Sequence, residues 1–180
     1  MNPSKKISLI LSLFILVSCY NSLDFDQLDD YAIKPVFTSS LTYFTVTQAQ
    51  FFGPDGIQVN IDDFSAFEIF ENDLVRENVV KIDFNAEMRN EFDRDAFIEI
   101  EFLDDNEDVV YRFTRFVIQE NTNLKKFVEE ISINDNPDIL NTSKVRINAA
   151  LEDTGIPLNA NDTSEFEFKS SITFYMESSL

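Results

Sequence analysis

From Glu165 to Met176 the chain alternates. Phe166, Phe168, Ile172, Phe174 and Met176 fall on one side, and Glu165, Glu167, Lys169 and Thr173 on the other, with Ser170 the one interruption of the apolar set. Apolar residues recurring every second position predict a half-buried strand, because successive side chains in a sheet point to opposite faces. The same period appears at Val80, Ile82, Phe84, Ala86 and Met88, at Ile98, Ile100 and Phe102, and at Val145, Ile147, Ala149 and Leu151. Val109, Tyr111 and Phe113 resume it after the polar run Asp104 to Asp108, which predicts a hairpin. Each such strand has one face to bury, and a second sheet is what buries it.

The earlier region is less regular. Leu41 to Phe52 is rich in Thr, Phe and Tyr and ends in the turn Phe51-Phe52-Gly53-Pro54-Asp55-Gly56, before Ile57, Val59 and Ile61; Phe64 to Phe70 reads as a short or bulged strand. One segment has a different period. Leu124, Phe127, Val128 and Ile131 stand at i, i+3, i+4 and i+7, which predicts a short amphipathic helix capped by Asn121 or Thr122. Together these elements predict an all-β, mainly antiparallel β-sandwich of about seven strands over residues 35–180, with one short helix. An immunoglobulin-like arrangement is one version of it, although the Cys and Trp diagnostic of that fold are missing.

Composition excludes several classes. The net charge of −19 speaks against nucleic acid, whose binding requires clustered Lys and Arg. It does not signal disorder, because 44% of residues are hydrophobic and 19 are Phe. With no His and a single Cys, the commonest general base and the commonest thiol nucleophile are missing, and the three glycines form no phosphate-binding loop. Carboxylates abound but no pair stands out as an acid and nucleophile. No catalytic residue, cofactor or metal is assigned, and the chain reads as non-enzymatic.

The N-terminus carries an address. Lys5 and Lys6 precede the apolar run Ile7 to Val17, too short to span a bilayer, and Leu16-Val17-Ser18-Cys19 follows. This tetrapeptide resembles the lipobox of bacterial lipoproteins. The resemblance implies that residues 1–18 are a signal peptide and that Cys19 receives lipid and becomes the first mature residue. It also accounts for a lone cysteine, which has no partner in the chain for a disulfide. Removal of the signal takes the charge from −19 to −21, since two lysines and no acid go with it. Two or more acyl chains anchor stably where one binds only marginally.

Residues 19–34, with Asp24, Asp26, Asp29 and Asp30, read as an acidic tether. Leu23, Phe25, Leu28 and Tyr31 within it have the spacing of a single helical turn of contacts. The acids resemble the segment after the lipid cysteine in surface-exported lipoproteins of the Bacteroidota, and the low-Gly, Phe/Asn/Asp-rich composition suits flavobacterial proteins of that kind. That likeness implies an envelope location, in the outer membrane and facing either the periplasm or the surface.

Three further sets of residues are candidates for sites. Asp104, Asn106 and Asp108 have the spacing of the first half of a calcium loop, but Val109 and Arg115 stand where an EF-hand needs Gly and Glu. Asn134 to Asp138 is a second such turn, and both are equally explained by Asp and Asn bonding their local backbone. Arg112 and Arg115 are expected to pair across strands with Glu99 or Glu101. Tyr43, Tyr111 and Tyr175 are candidates for exposed aromatics. The expectation for function is a membrane-anchored protein-binding module, an accessory subunit of an outer-membrane transport, secretion or assembly complex; a surface lipoprotein binding a glycan or cation is the alternative.

Overall fold

The structure, a computed structural model, describes residues 32–179. The signal peptide, Cys19 and the tether up to residue 31 lie outside the described residues. The strands are β1 (Ala32–Ile33), β2 (Val36–Thr47), β3 (Ile61–Ala66), β4 (Val79–Asn90), β5 (Ala96–Leu103), β6 (Val109–Arg112), β7 (Phe116–Ile118), β8 (Thr122–Ser132), β9 (Lys144–Leu151), β10 (Glu165–Met176) and β11 (Ser178–Ser179), and the helix is α1 (Asp73–Asn78).

One sheet has the order β2-β10-β4-β8; the other runs β3-β9-β5-β6, with β7 also pairing with β5. The pairs β2 with β10, β3 with β9, β4 with β8 and β5 with β6 are all antiparallel. The chain is thus one long hairpin, closed at β5 and β6, whose paired arms alternate between the two sheets. That is the wrapping of a jelly roll. It replaces the immunoglobulin-like version of the sandwich, in which neighbouring hairpin strands stay longer in one sheet.

The alternating runs fill the space between the sheets. Ile82, Phe84, Phe168 and Phe174 from one sheet and Ile98, Ile100, Phe102 and Val145 from the other are each 0% exposed. Phe84 meets Phe113 at 4.6 Å and Phe67 meets Phe102 at 5.6 Å between ring centroids. Contacts of this kind add about 0.5–1.5 kcal/mol beyond area burial. One inward expectation fails at a strand end. A register shift opposite Met176 turns Val79 inward and leaves Val80 39% exposed.

The predicted helix is also corrected. Residues 124–131 belong to β8, which pairs with β4 from Lys81↔Ser132 to Asn90↔Thr122. Helical spacing hid a period of two: Phe127 and Ile131 share one parity and turn inward, whereas Leu124 and Val128 share the other and are each 57% exposed. Pairing to a central strand outweighs the weak local helix preference of an eight-residue run. Asn121 caps nothing; it sits at φ 52° in the turn before β8. The α-helix among the described residues is α1, where Asn72 accepts from the Val75 amide at 3.3 Å and Val75 is buried.

Candidate functional site

β2 starts with Val36 opposite Tyr175 and ends with Thr47 opposite Glu165. The loops 48–60 and 152–164 therefore meet at the end of the sandwich farthest from where the chain enters it, roughly 40 Å away for a strand of this length. All three glycines of the chain, Gly53, Gly56 and Gly155, lie in these two loops. Gly56 and Gly155 have φ of +75° and +74°, a backbone conformation that side chains other than glycine enter at a cost.

Side chains from beneath hold the loops. Gln48 is 2% exposed; its Nε2 donates to Asp162 Oδ2 at 2.7 Å and its Oε1 accepts from the Asn159 amide at 3.0 Å. The Arg94 side chain is 2% exposed and donates to the Ile156 carbonyl at 3.2 Å. Asn90, fully buried, donates to the carbonyls of Arg94, Ile118 and Gln119 and accepts from the Phe92 amide. Each of these groups would be costly to bury unpaired, so the network fixes the backbone above it.

On this fixed base, two large apolar side chains face water: Ile57 is 64% exposed and Ile156 66%. Ile156, Pro157 and Leu158 line a concavity of about 270 Å³ with Phe52, Gly56 and Gln58. Asp55, Glu91, Asp93, Glu120, Glu152 and Asp153 are exposed in the loops of the same end, where Arg94 is buried and Arg89 pairs with Glu91 at 2.9 Å. An apolar patch ringed by carboxylates suits a partner with an apolar contact and a basic rim. Sequence reading recognised the Gly53 to Gly56 turn, but nothing in the sequence brings Ile156 beside it.

The candidates from sequence fall elsewhere. Asp104, Asn106 and Asp108 lie in the β5–β6 turn at the opposite end. Asp104 Oδ1 accepts from the amides of Asn106 and Asp108, each at 2.9 Å, and Glu107 sits at φ 66° with its carboxylate on Lys144. Backbone bonding thus accounts for the Asp104 carboxylate. Among the described residues, no group of three or more His, Cys, Asp or Glu side chains is placed to hold a metal. Asn134 to Asp138 lead into a 3-10 turn at Pro137–Asn141.

The arginine expectation holds in detail. Arg112 Nε donates to Glu101 Oε1 at 2.5 Å, Arg146 Nε donates to Glu101 Oε2 at 2.8 Å, and Arg115 lies 3.4 Å from Glu99 and over the Phe97 ring. Burial alone would raise the Glu101 carboxyl, but Arg146 and Arg112 together hold it below its ordinary value. These groups line a polar groove of about 460 Å³ with Asn60, Asp62 and Asn148 on the outer face of the second sheet. Of the three tyrosines, Tyr43 is 62% exposed, whereas the Tyr111 hydroxyl donates to Glu129 and that of Tyr175 to Asp83 at 2.7 Å.

No family model matches the chain. No curated protein matches it. Among solved structures it is similar to a protein of Parabacteroides distasonis ATCC 8503 thought to be secreted, at 19% identity and a TM-score of 0.49, covering 64% of this chain and 37% of that one. It is also similar to a chain of the T13 IBDV viral particle, at 14% identity and 0.41, covering 79% and 31%. A third similarity is to the desmodium yellow mottle tymovirus, at 12% and 0.37, covering 82% and 89%. The chain spans about a third of the length of the first two.

Proposed function

We propose that this chain is a non-enzymatic lipoprotein of the bacterial envelope, anchored through lipid on Cys19, whose sandwich is a protein-binding module. It serves as an accessory subunit of an outer-membrane transport, secretion or assembly complex. The observation that carries the reading is that Ile57 and Ile156 are exposed on loops that buried Gln48 and Arg94 tie down. A rigid exposed apolar patch is what a docking surface needs, and ordering it costs little on binding.

Two experiments test it. Affinity purification of the chain from its native envelope should recover a stoichiometric partner that Ile57→Asp and Ile156→Asp release while the variant still melts cooperatively; recovery unaffected by both changes excludes these loops as the interface. Cys19→Ala should abolish stable membrane association, and a fatty-acid label persisting in that variant overturns the anchor. The polar groove beside Glu101 favours a second reading, a glycan-binding lipoprotein, because Asn60, Asp62, Asn148 and the arginines offer fixed hydrogen-bonding groups. Calorimetry with a glycan panel and with calcium separates the two readings.

A further inference from the structure

The free edges of the two sheets are not alike. β8, at one edge of the first sheet, carries Lys125, Lys126, Glu129 and Glu130. In the second sheet β3 is six residues long with Asp62 and Asp63, and β6 and β7 have four and three residues. Short strands and charges are the usual means by which proteins keep edges from pairing with other chains. β2 has neither. Its 12 residues, Val-Phe-Thr-Ser-Ser-Leu-Thr-Tyr-Phe-Thr-Val-Thr, include no charge and no proline, and among the described residues no strand pairs with its outer side. In a chain of net charge −19 this is the longest uncharged strand among the described residues, and it lies on an edge.

Beside that edge the sandwich is open. The register of β2 slips between Ser170 and Ser171, leaving Leu41 unpaired. Bulges of this kind re-aim a side chain and bend the strand locally. Here Leu41 lines a cleft of about 360 Å³ with Phe67, Ile69, Ile172 and Phe174, and Glu68 is the charged residue at its wall. Six regular residues, Thr42 to Thr47, continue the edge beyond the bulge.

We infer that the outer edge of β2 is a strand-addition site that takes an extended segment of another protein, one with apolar residues at alternate positions and basic residues beside them. Backbone hydrogen bonds to β2 supply the affinity, and an apolar side chain placed in the cleft at Leu41 supplies register. Charge selects the occupant. A second copy of this chain would bring another body of net charge −19 against the first, whereas a basic strand is drawn to it and to Glu68. This site is separate from the loops carrying Ile57 and Ile156, and it stands or falls independently of them.

The test uses the full chain and a nine-residue probe peptide of alternating Ile and Thr with Lys at both ends. Amide hydrogen exchange of β2 should slow by about tenfold or more with the peptide, while β8 is unchanged. The same peptide N-methylated along one edge should have no effect. Leu41→Asp, checked for cooperative melting, should weaken binding by about tenfold. No slowing at β2, or equal slowing at β8, overturns the site. Two results in the free chain overturn the proposed occupant. Protection of β2 that grows with protein concentration assigns the edge to a second copy; concentration-independent protection released by Leu23→Asp with Phe25→Asp assigns it to the chain's own N-terminal segment.

Discussion

β10 and β8 are the two neighbours of β4, one on each side, and they lie in very different surroundings. β10 is paired along both edges, and its inward set Phe166, Phe168, Ile172, Phe174 is 0 or 1% exposed. β8 is paired on one edge only, and its apolar residues are divided between the core and water. A strand enclosed on both edges has a face fully determined by burial, so its sequence must alternate. A strand at an edge is released from that requirement on part of its length and retains charge as protection.

The largest expected effect lies on β10. Phe168→Ala or Phe174→Ala removes a fully buried ring in contact with other aromatics, Phe44 at 5.2 Å for the first and Phe37 at 4.8 Å for the second. Each should cost about 3–5 kcal/mol, against a total stability of about 5–15 kcal/mol for a domain. Ile131→Ala on β8 should cost less, about 2–3 kcal/mol, since a smaller side chain leaves a smaller cavity that an edge closes more easily. Denaturant midpoints at constant slope measure all three. A loss at Ile131 equal to that at Phe168 breaks the distinction between centre and edge.

That distinction also explains what the sequence made legible. Four alternating runs, now β4, β5, β9 and β10, are those that pair on both sides, and they could be read residue by residue. The hairpin across Asp104 to Asp108 and the pairing of Arg112 with Glu101 were equally readable, because turn chemistry and cross-strand charge act over short sequence distances. β8 was misread because four apolar residues at helical spacing are also two pairs at strand parity, and only the partner strand decides between them. The jelly-roll order depends on which arm wraps over which, a long-range matter that local pattern does not encode. The same limit applied to the loops of the far end, where Gly56 and Ile156, about a hundred residues apart in sequence, line one concavity only because the fold brings their loops together.

A smaller effect sharpens the comparison from the other sheet. Tyr111 on β6 donates its hydroxyl to Glu129 on β8, a tie between the sheets at the edge that β10 does not need. Burial, and then the bond to the Glu129 carboxylate, push the Tyr111 phenol above its ordinary value of 10.0. With a raised value in the folded state, the stabilisation is fully present below pH 10 and is lost as the pH rises further, because the unfolded phenol ionises first. Tyr111→Phe should cost about 1–2 kcal/mol at neutral pH. It should also reduce the alkaline fall in stability, leaving the parts due to Tyr175, whose bond to Asp83 raises it as well, and to Lys81, Lys144 and Lys169, which their carboxylate partners raise. Melts between pH 8 and 11 read both, and an unchanged alkaline limb would mean that the tie does not hold β8 in solution.

The smallest expected effects decide the parity of β8. In a helix over 124–131, Leu124, Phe127, Val128 and Ile131 share one face, and truncating any of them would cost stability. In the strand, Ile131 is 1% exposed and Phe127 packs edge-on against Phe116 at 4.4 Å, while Leu124 and Val128 point to water. Leu124→Thr and Val128→Thr should therefore change stability by no more than about 0.5 kcal/mol. Threonine suits a pleated surface, which removes propensity as a reason for any loss. Phe127→Ala should cost clearly more than either, despite lying between them in sequence. The decisive measurement is the order of the four midpoints along the chain. A pattern of small at 124, large at 127, small at 128 and large at 131 belongs to a strand paired with β4, and four comparable losses belong to a helix.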